Sequence, residues 1–191
     1  MMGREIPTML QPIRRIVTGH NEEGRSVFLF DGLVHPGKEI HDRNEVYLWV
    51  TEQTPANNAG RADAANRPVK LEPPPRGSVF RFVQIPPEAE MAGLSAEERE
   101  RLIAKLFEGL GASHARIDTT RSPAMHKTRT LDYVILLSGE VTLLLDEGEV
   151  DLTPFDVVVQ RGTNHTWINR GKIPALLAVA MIDADPVGAK K

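Results

Sequence analysis

Two histidines and one aspartate are the residues of this chain best suited to chemistry. His126, Thr128, Thr130 and Asp132 fall at every second position in MHKTRTLDY, and His165 and Trp167 do the same in NHTWIN. In an extended chain, residues two apart project from one face. Closed into a single barrel, the two segments would bring two imidazoles and one carboxylate together. That is the facial donor set that holds Fe(II) with open positions, and Zn, Mn or Ni are compatible with it. Spacing alone leaves a second reading open, in which His126 and His165 are polar residues satisfied at strand ends. Thr128 and Thr130 are candidates to hydrogen-bond a substrate, and Trp167 either floors an apolar site or packs in the core. Lys127, Arg129 and Arg161 alternate away from the pocket. Arg129 and Arg161 remain candidates to meet a substrate carboxylate at its mouth, since pockets hold few polar recognition groups. Asn169 reads as a hydrogen-bonding turn residue, because amides are weak ligands for borderline metals.

The elements that must position these residues are strands. LDYVILL and EVTLLLD flank Ser138-Gly139, EVDL follows Glu147-Gly148, and DVVVQ and ALLAVAMI complete the series. Short glycine-containing links between apolar runs are hairpin signals, and many short strands in series predict a sandwich or closed barrel. LDYVILL is apolar on both faces, so it needs a covering layer from the N-terminal strands, the helix or a second subunit. Upstream, IRRIVTG, RSVFLFDG, EVYLWVT and SVFRFVQI predict further strands, with His20, His35 and His41 as solvent-facing loop residues. Residues 52–77 are rich in Ala, Asn and Pro and predict a long loop or wrapping arm. One helix is expected after Leu94. Ser95 and Glu98 form a capping box, Leu102, Ile103, Leu106, Phe107 and Leu110 make an apolar stripe, and Gly109 and Gly111 supply the stop. That helix should lie on a sheet with its charged face in water. SHARID is expected to be a strand.

The expected layout is one compact domain: a β-rich extension over residues 1–93, the helix over 94–111, the barrel over 112–185 and a tail over 186–191. At 191 residues, 41% hydrophobic and 26% charged, the chain has the composition of a soluble globular protein. A net charge of −3 argues against nucleic acid as a partner. No apolar run reaches the roughly 20 residues of a membrane span, and no secretory leader is visible, so the expected location is the cytoplasm. Cysteine is absent, which excludes disulfides, zinc–thiolate sites and thiol nucleophiles.

The segment 112–182 resembles the cupin superfamily, whose fold is a small jelly-roll β-barrel. The first cupin motif, a His-x-His pair followed by Glu and then a turn Gly, reads here as His126, Thr128, Asp132 and Gly139. The second, Pro-x-Gly-x-x-His-x-x-x-Asn, reads as Gln160, Gly162, His165 and Asn169, and the Gly-Asp that precedes it appears as Phe155-Asp156. The chain is also similar to a cupin subgroup with His-x-Thr-x-Thr-x-Asp-Tyr and Arg-Gly-Thr-Asn-His, which carries an extension like residues 13–90. The resemblance implies a divalent metal (Fe, Zn, Mn or Ni) on a set reduced to His126, Asp132 and His165, with threonine where the second histidine stands. It implies an enzyme acting on a small organic acid or aromatic compound, of oxygenase, decarboxylase, lyase or isomerase type. The alternative is a metal-free barrel that binds a small ligand without catalysis. A homodimer is the expected assembly, with no nucleic-acid or membrane partner.

Overall fold

The computed structural model describes residues 10–36 and 44–186; His41 lies outside them. Among the described residues the chain forms β1 (Ile13–His20), β2 (Ser26–Val34), β3 (Glu45–Thr51), β4 (Ser78–Ile85), the helix α1 (Ala96–Gly109), β5 (Thr130–Ser138), β6 (Val141–Leu145), β7 (Glu149–Leu152), β8 (Val157–Arg161), β9 (His165–Ile168) and β10 (Ala175–Asp183). β1 and β2 make a hairpin. The rest form a five-stranded sheet in the order β3-β4-β10-β5-β8 and a three-stranded sheet in the order β7-β6-β9. All pairings are antiparallel. The protein is mainly β, as the alternating runs predict.

The two sheets close on one core. Val134 and Leu136 of β5 and Leu177, Val179 and Met181 of β10 meet Val141 of β6 and Leu152 of β7, with Trp167 of β9 packed against them. Strand parity decides which residues enter. Along β5, Thr130, Asp132, Val134 and Leu136 are buried while Tyr133 and Ile135 are exposed. Thr130 and Asp132 therefore hang into the barrel beside the apolar core. The β5–β6 turn needs Gly139: its φ is +79°, and a Cβ there would stand 2.7 Å from the Cα of Ala175.

The helix has the expected start. Ser95 Oγ accepts from the Glu98 N–H at 3.2 Å, and Glu98 Oε2 accepts from the Ser95 N–H at 2.8 Å. It does not lie on a sheet face, however. Phe107 and Leu110 pack with Leu71 of the long arm and with Ala112 and Ala115. The predicted strand SHARID is instead a 3-10 turn over Ser113–Ala115, because the two buried alanines fold back onto the helix. The arm itself is pinned to the domain. The Tyr47 hydroxyl donates to Lys70 O at 2.7 Å and accepts from Lys70 N–H at 2.7 Å, and Leu71 N–H donates to Leu110 O at 3.2 Å.

Candidate functional site

The imidazoles meet where residues 124–128 run beside β9. His126 and His165 form an isolated antiparallel bridge, each N–H donating to the other's carbonyl at 2.9 Å. Directly opposed residues of an antiparallel pair share a face. The rings accordingly lie side by side, centroids 4.4 Å apart. Phe107 of α1 closes one side, 5.1 Å from His126, and Trp167 meets His165 edge-on at 5.9 Å.

Both rings are fixed in the same tautomer. His126 Nδ1–H donates to Ala124 O and His165 Nδ1–H donates to Thr163 O, each at 2.9 Å. Each neutral ring then carries its lone pair on Nε2, which is the arrangement that metal-ligating or base histidines take. Burial, and then the neighbouring His165, push the His126 imidazole down to about 3. Burial also lowers His165, against the hydrogen bond to Thr163. Two unprotonated imidazoles side by side are thus the resting state near neutral pH.

Asp132 stands apart from this pair. It lies on β5 opposite Gln160 and Met181 and is 4% exposed, and its Oδ1 has no hydrogen-bond partner. Burial raises its carboxyl to about 6, against a hydrogen bond from Thr130 and the charge of Arg81. Thr130 also shares a 2.7 Å hydrogen bond with Thr128, so the two hydroxyls and the acid form one buried polar line. Among the described residues no three His, Asp or Glu side chains gather closely enough to hold a metal ion. A divalent metal is what the cupin motifs imply. The donor chemistry suits it at two positions, the Nε2 atoms of the two rings; the unpartnered oxygen of Asp132 would be the third donor, but it does not lie beside them.

Of the other candidates, Thr128 and Thr130 are buried, and Trp167 is half-buried against the core. Arg129 and Arg161 are exposed, as is Lys127, so their side chains turn out of the barrel as the alternation predicts. Arg129 contributes its main chain instead, donating to Glu72 Oε1 at 2.9 Å. Asn169 is a structural hydrogen-bonder: its amide donates to Ile85 O and Ile173 O, and its Oδ1 accepts from Gly171 N–H. His20 and His35 are exposed, as expected, but His20 ends strand β1 rather than lying in a loop.

Sequence reasoning missed Arg81. It stands on β4 at 4% exposure, and its charge acts on both His126 and Asp132. The signal was present in SVFRFVQI, where Arg81 takes the inward parity of Val79. A cleft of about 350 Å³ between β2, β3 and residues 63–69 is lined by neither histidine of the pair nor Asp132.

The likeness to known proteins runs along nearly the whole chain. It is 31% identical over 178 residues to Phomopsin biosynthesis cluster protein C' of Diaporthe leptostromiformis, covering 88% of this chain and 76% of that protein. It is 28% identical over 187 residues to the cupin-domain-containing oxidoreductase fogC of Aspergillus ruber, covering 93% of this chain and 76% of that one. The chain belongs to the cupin superfamily. A solved Cupin 2 conserved barrel domain protein from Salinispora arenicola matches over 56% of this cupin and 64% of its own length, at 15% identity and a TM-score of 0.35. No family model matches the chain. Within the cupin barrel, the altered first motif has a visible consequence. Thr128 bonds to Thr130 and leaves the imidazole pair to His126 and His165 alone.

Proposed function

We propose that this cupin is an enzyme whose small-molecule substrate reacts inside the barrel, beside the His126–His165 pair. The observation that carries the reading is the shared tautomer: the buried His165 ring and the half-buried His126 ring are held by main-chain carbonyls so that both Nε2 lone pairs are free. The relatives' names, oxidoreductase and biosynthesis cluster protein, favour redox chemistry on a biosynthetic small molecule over the other cupin reactions.

In this reading His126 and His165 would hold a divalent Fe, Zn, Mn or Ni ion, and Asp132, which stands apart from the pair, is left to meet the substrate. The ion, when bound, supplies a Lewis acid and open positions for substrate. The chain's own residues do the rest. Trp167 and Phe107 exclude water from the imidazoles, and low local polarity strengthens every charge interaction there. Thr128 and Thr130 orient the Asp132 carboxyl and are the hydroxyls nearest to hand for a substrate. The separation of Asp132 from the imidazoles favours a second reading, a metal-free barrel that binds a ligand without turning it over.

Metal content separates the two. Elemental mass spectrometry of the purified protein should find one transition metal per chain, and His165→Ala should lose it. Metal-free protein that takes up none by titration calorimetry would leave the binding barrel standing. The outer face of the five-stranded sheet is the surface we assign to a homodimer.

A further inference from the structure

Two buried polar atoms on the inner face of the large sheet have no hydrogen-bond partner in the chain, Arg81 Nε and Asp132 Oδ1. Both residues are 4% exposed. Both also lie on one face of the large sheet: Arg81 is opposite Val179, and Asp132 is opposite Met181, two residues further along the same strand β10. The Arg81 guanidinium reaches over β10, its Nη2 sitting 2.9 Å from the Sδ of Met181, the residue opposite Asp132. A buried N–H or carboxyl oxygen without a partner is costly, and such groups in a folded protein call for a ligand, an ion or a water.

Charge decides which. Arg81 is already balanced: Nη1 donates to Glu45 Oε2 at 2.8 Å, with side chains 5% and 12% exposed, and also to Lys70 O at 3.2 Å. A second anion brought against this pair would be buried in excess, which low-dielectric surroundings penalise heavily. A neutral oxygen acceptor would not be.

We propose that Arg81 is a substrate-recognition residue of the barrel, and that the substrate is an uncharged carbonyl compound with a neighbouring hydroxyl. Its carbonyl oxygen accepts from Arg81 Nε–H, and its hydroxyl donates to Asp132 Oδ1. This rests on the reading of the barrel as the substrate site and narrows it from organic acids to neutral hydroxyketones.

The test uses the full-length protein and size-matched probes: 2-hydroxycyclohexanone, cyclohexanone and cyclohexanecarboxylate. Nitrogen-15 NMR of the arginine Nε–H groups reads binding, with the Arg81 signal assigned by its loss in Arg81→Lys. The hydroxyketone should shift that signal saturably and bind more tightly than the plain ketone, and the carboxylate should not bind. Arg81→Lys keeps the charge next to Glu45 but loses the Nε–H, and should weaken hydroxyketone binding by about tenfold, the effect of one charge-assisted hydrogen bond. Asp132→Asn should weaken the hydroxyketone while leaving the ketone unchanged. Glu45→Gln unbalances Arg81 without touching Nε, and should admit the carboxylate. The proposal is overturned if the carboxylate binds the native protein best. It is equally overturned if no probe moves the Arg81 signal, the mark of a resident water alone, or if binding is the same in Arg81→Lys. Turnover is not read, so hydroxyketone binding without any catalysis would count against the enzymatic reading and not against this one.

Discussion

At the scale of single residues, Asp132 and His126 respond to pH in opposite senses. The folded state raises the Asp132 carboxyl from 3.8 to about 6, so the fold favours the protonated acid. That contribution is complete below pH 3.8 and is lost as pH rises through 6, a loss of about 3 kcal/mol at most. Replacing the acid by its neutral isostere removes the loss. Urea unfolding of metal-free protein at pH 4 and pH 8 should therefore show Asp132→Asn gaining 2–3 kcal/mol on the native protein between the two, on the order expected from that shift. An equal difference at both pH values would refute the assignment. His126 works the other way. Its folded imidazole is pushed from 6.5 to about 3, so the stability it confers is present above 6.5 and drains away as pH falls towards 3. Acid should therefore unfold this protein through its histidines while relieving its buried aspartate.

At the scale of elements, α1 is the wall that keeps His126 dry. Phe107 is 4% exposed and lies 5.1 Å from the His126 ring. Phe107→Ala should cost about 3–4 kcal/mol for the lost burial and the cavity. It should also let water reach the imidazole and raise its titration midpoint by more than one unit, read by histidine proton NMR. A stability loss with an unmoved titration would mean that other residues desolvate the ring. Much of this layer was legible in the sequence. The capping box of Ser95 and Glu98, the alternation of LDYVILL and the cupin spacing from His126 to Asn169 are local patterns, and each acts on neighbours within reach along the chain. What the sequence concealed was long-range. Arg81 looks like any strand arginine until β10, lying between β4 and β5, puts it on the same buried face as Asp132, and the Ser113–Ala115 turn is fixed by its packing on α1 and Leu71. Asp132 had the right parity for the imidazole pair, but parity says nothing about how far a carboxylate one methylene shorter than glutamate extends.

At the scale of the whole molecule, the outer face of the large sheet is where the protein is least complete. Phe80, Ala180, Tyr133 and Val159 form one row across four strands, and Phe82, Ala178, Ile135 and Val157 form the next. Tyr133 is 46% exposed, Val159 53% and Val157 62%, so the covering layer expected for LDYVILL is not supplied in full by the described residues. Contiguous exposed apolar surface of this kind is what the proposed homodimer would bury. Sedimentation should find a dimer that Tyr133→Lys combined with Val159→Lys converts to monomer, with an unchanged circular dichroism spectrum. A monomeric native protein at high concentration would remove the homodimer from consideration. No helix among the described residues is long and apolar enough to cross a membrane. One feature of the site bears on how such a protein can diversify. The tautomers of His126 and His165 are set by the carbonyls of Ala124 and Thr163, which belong to the backbone. In the proposed enzyme, reactivity is thus inherited with the fold, and substitutions at Thr128, Arg81 or Trp167 would retune what the barrel accepts without re-arming it. A duplicated copy of this gene would then be free to explore new substrates while its proposed reactive edge stays intact.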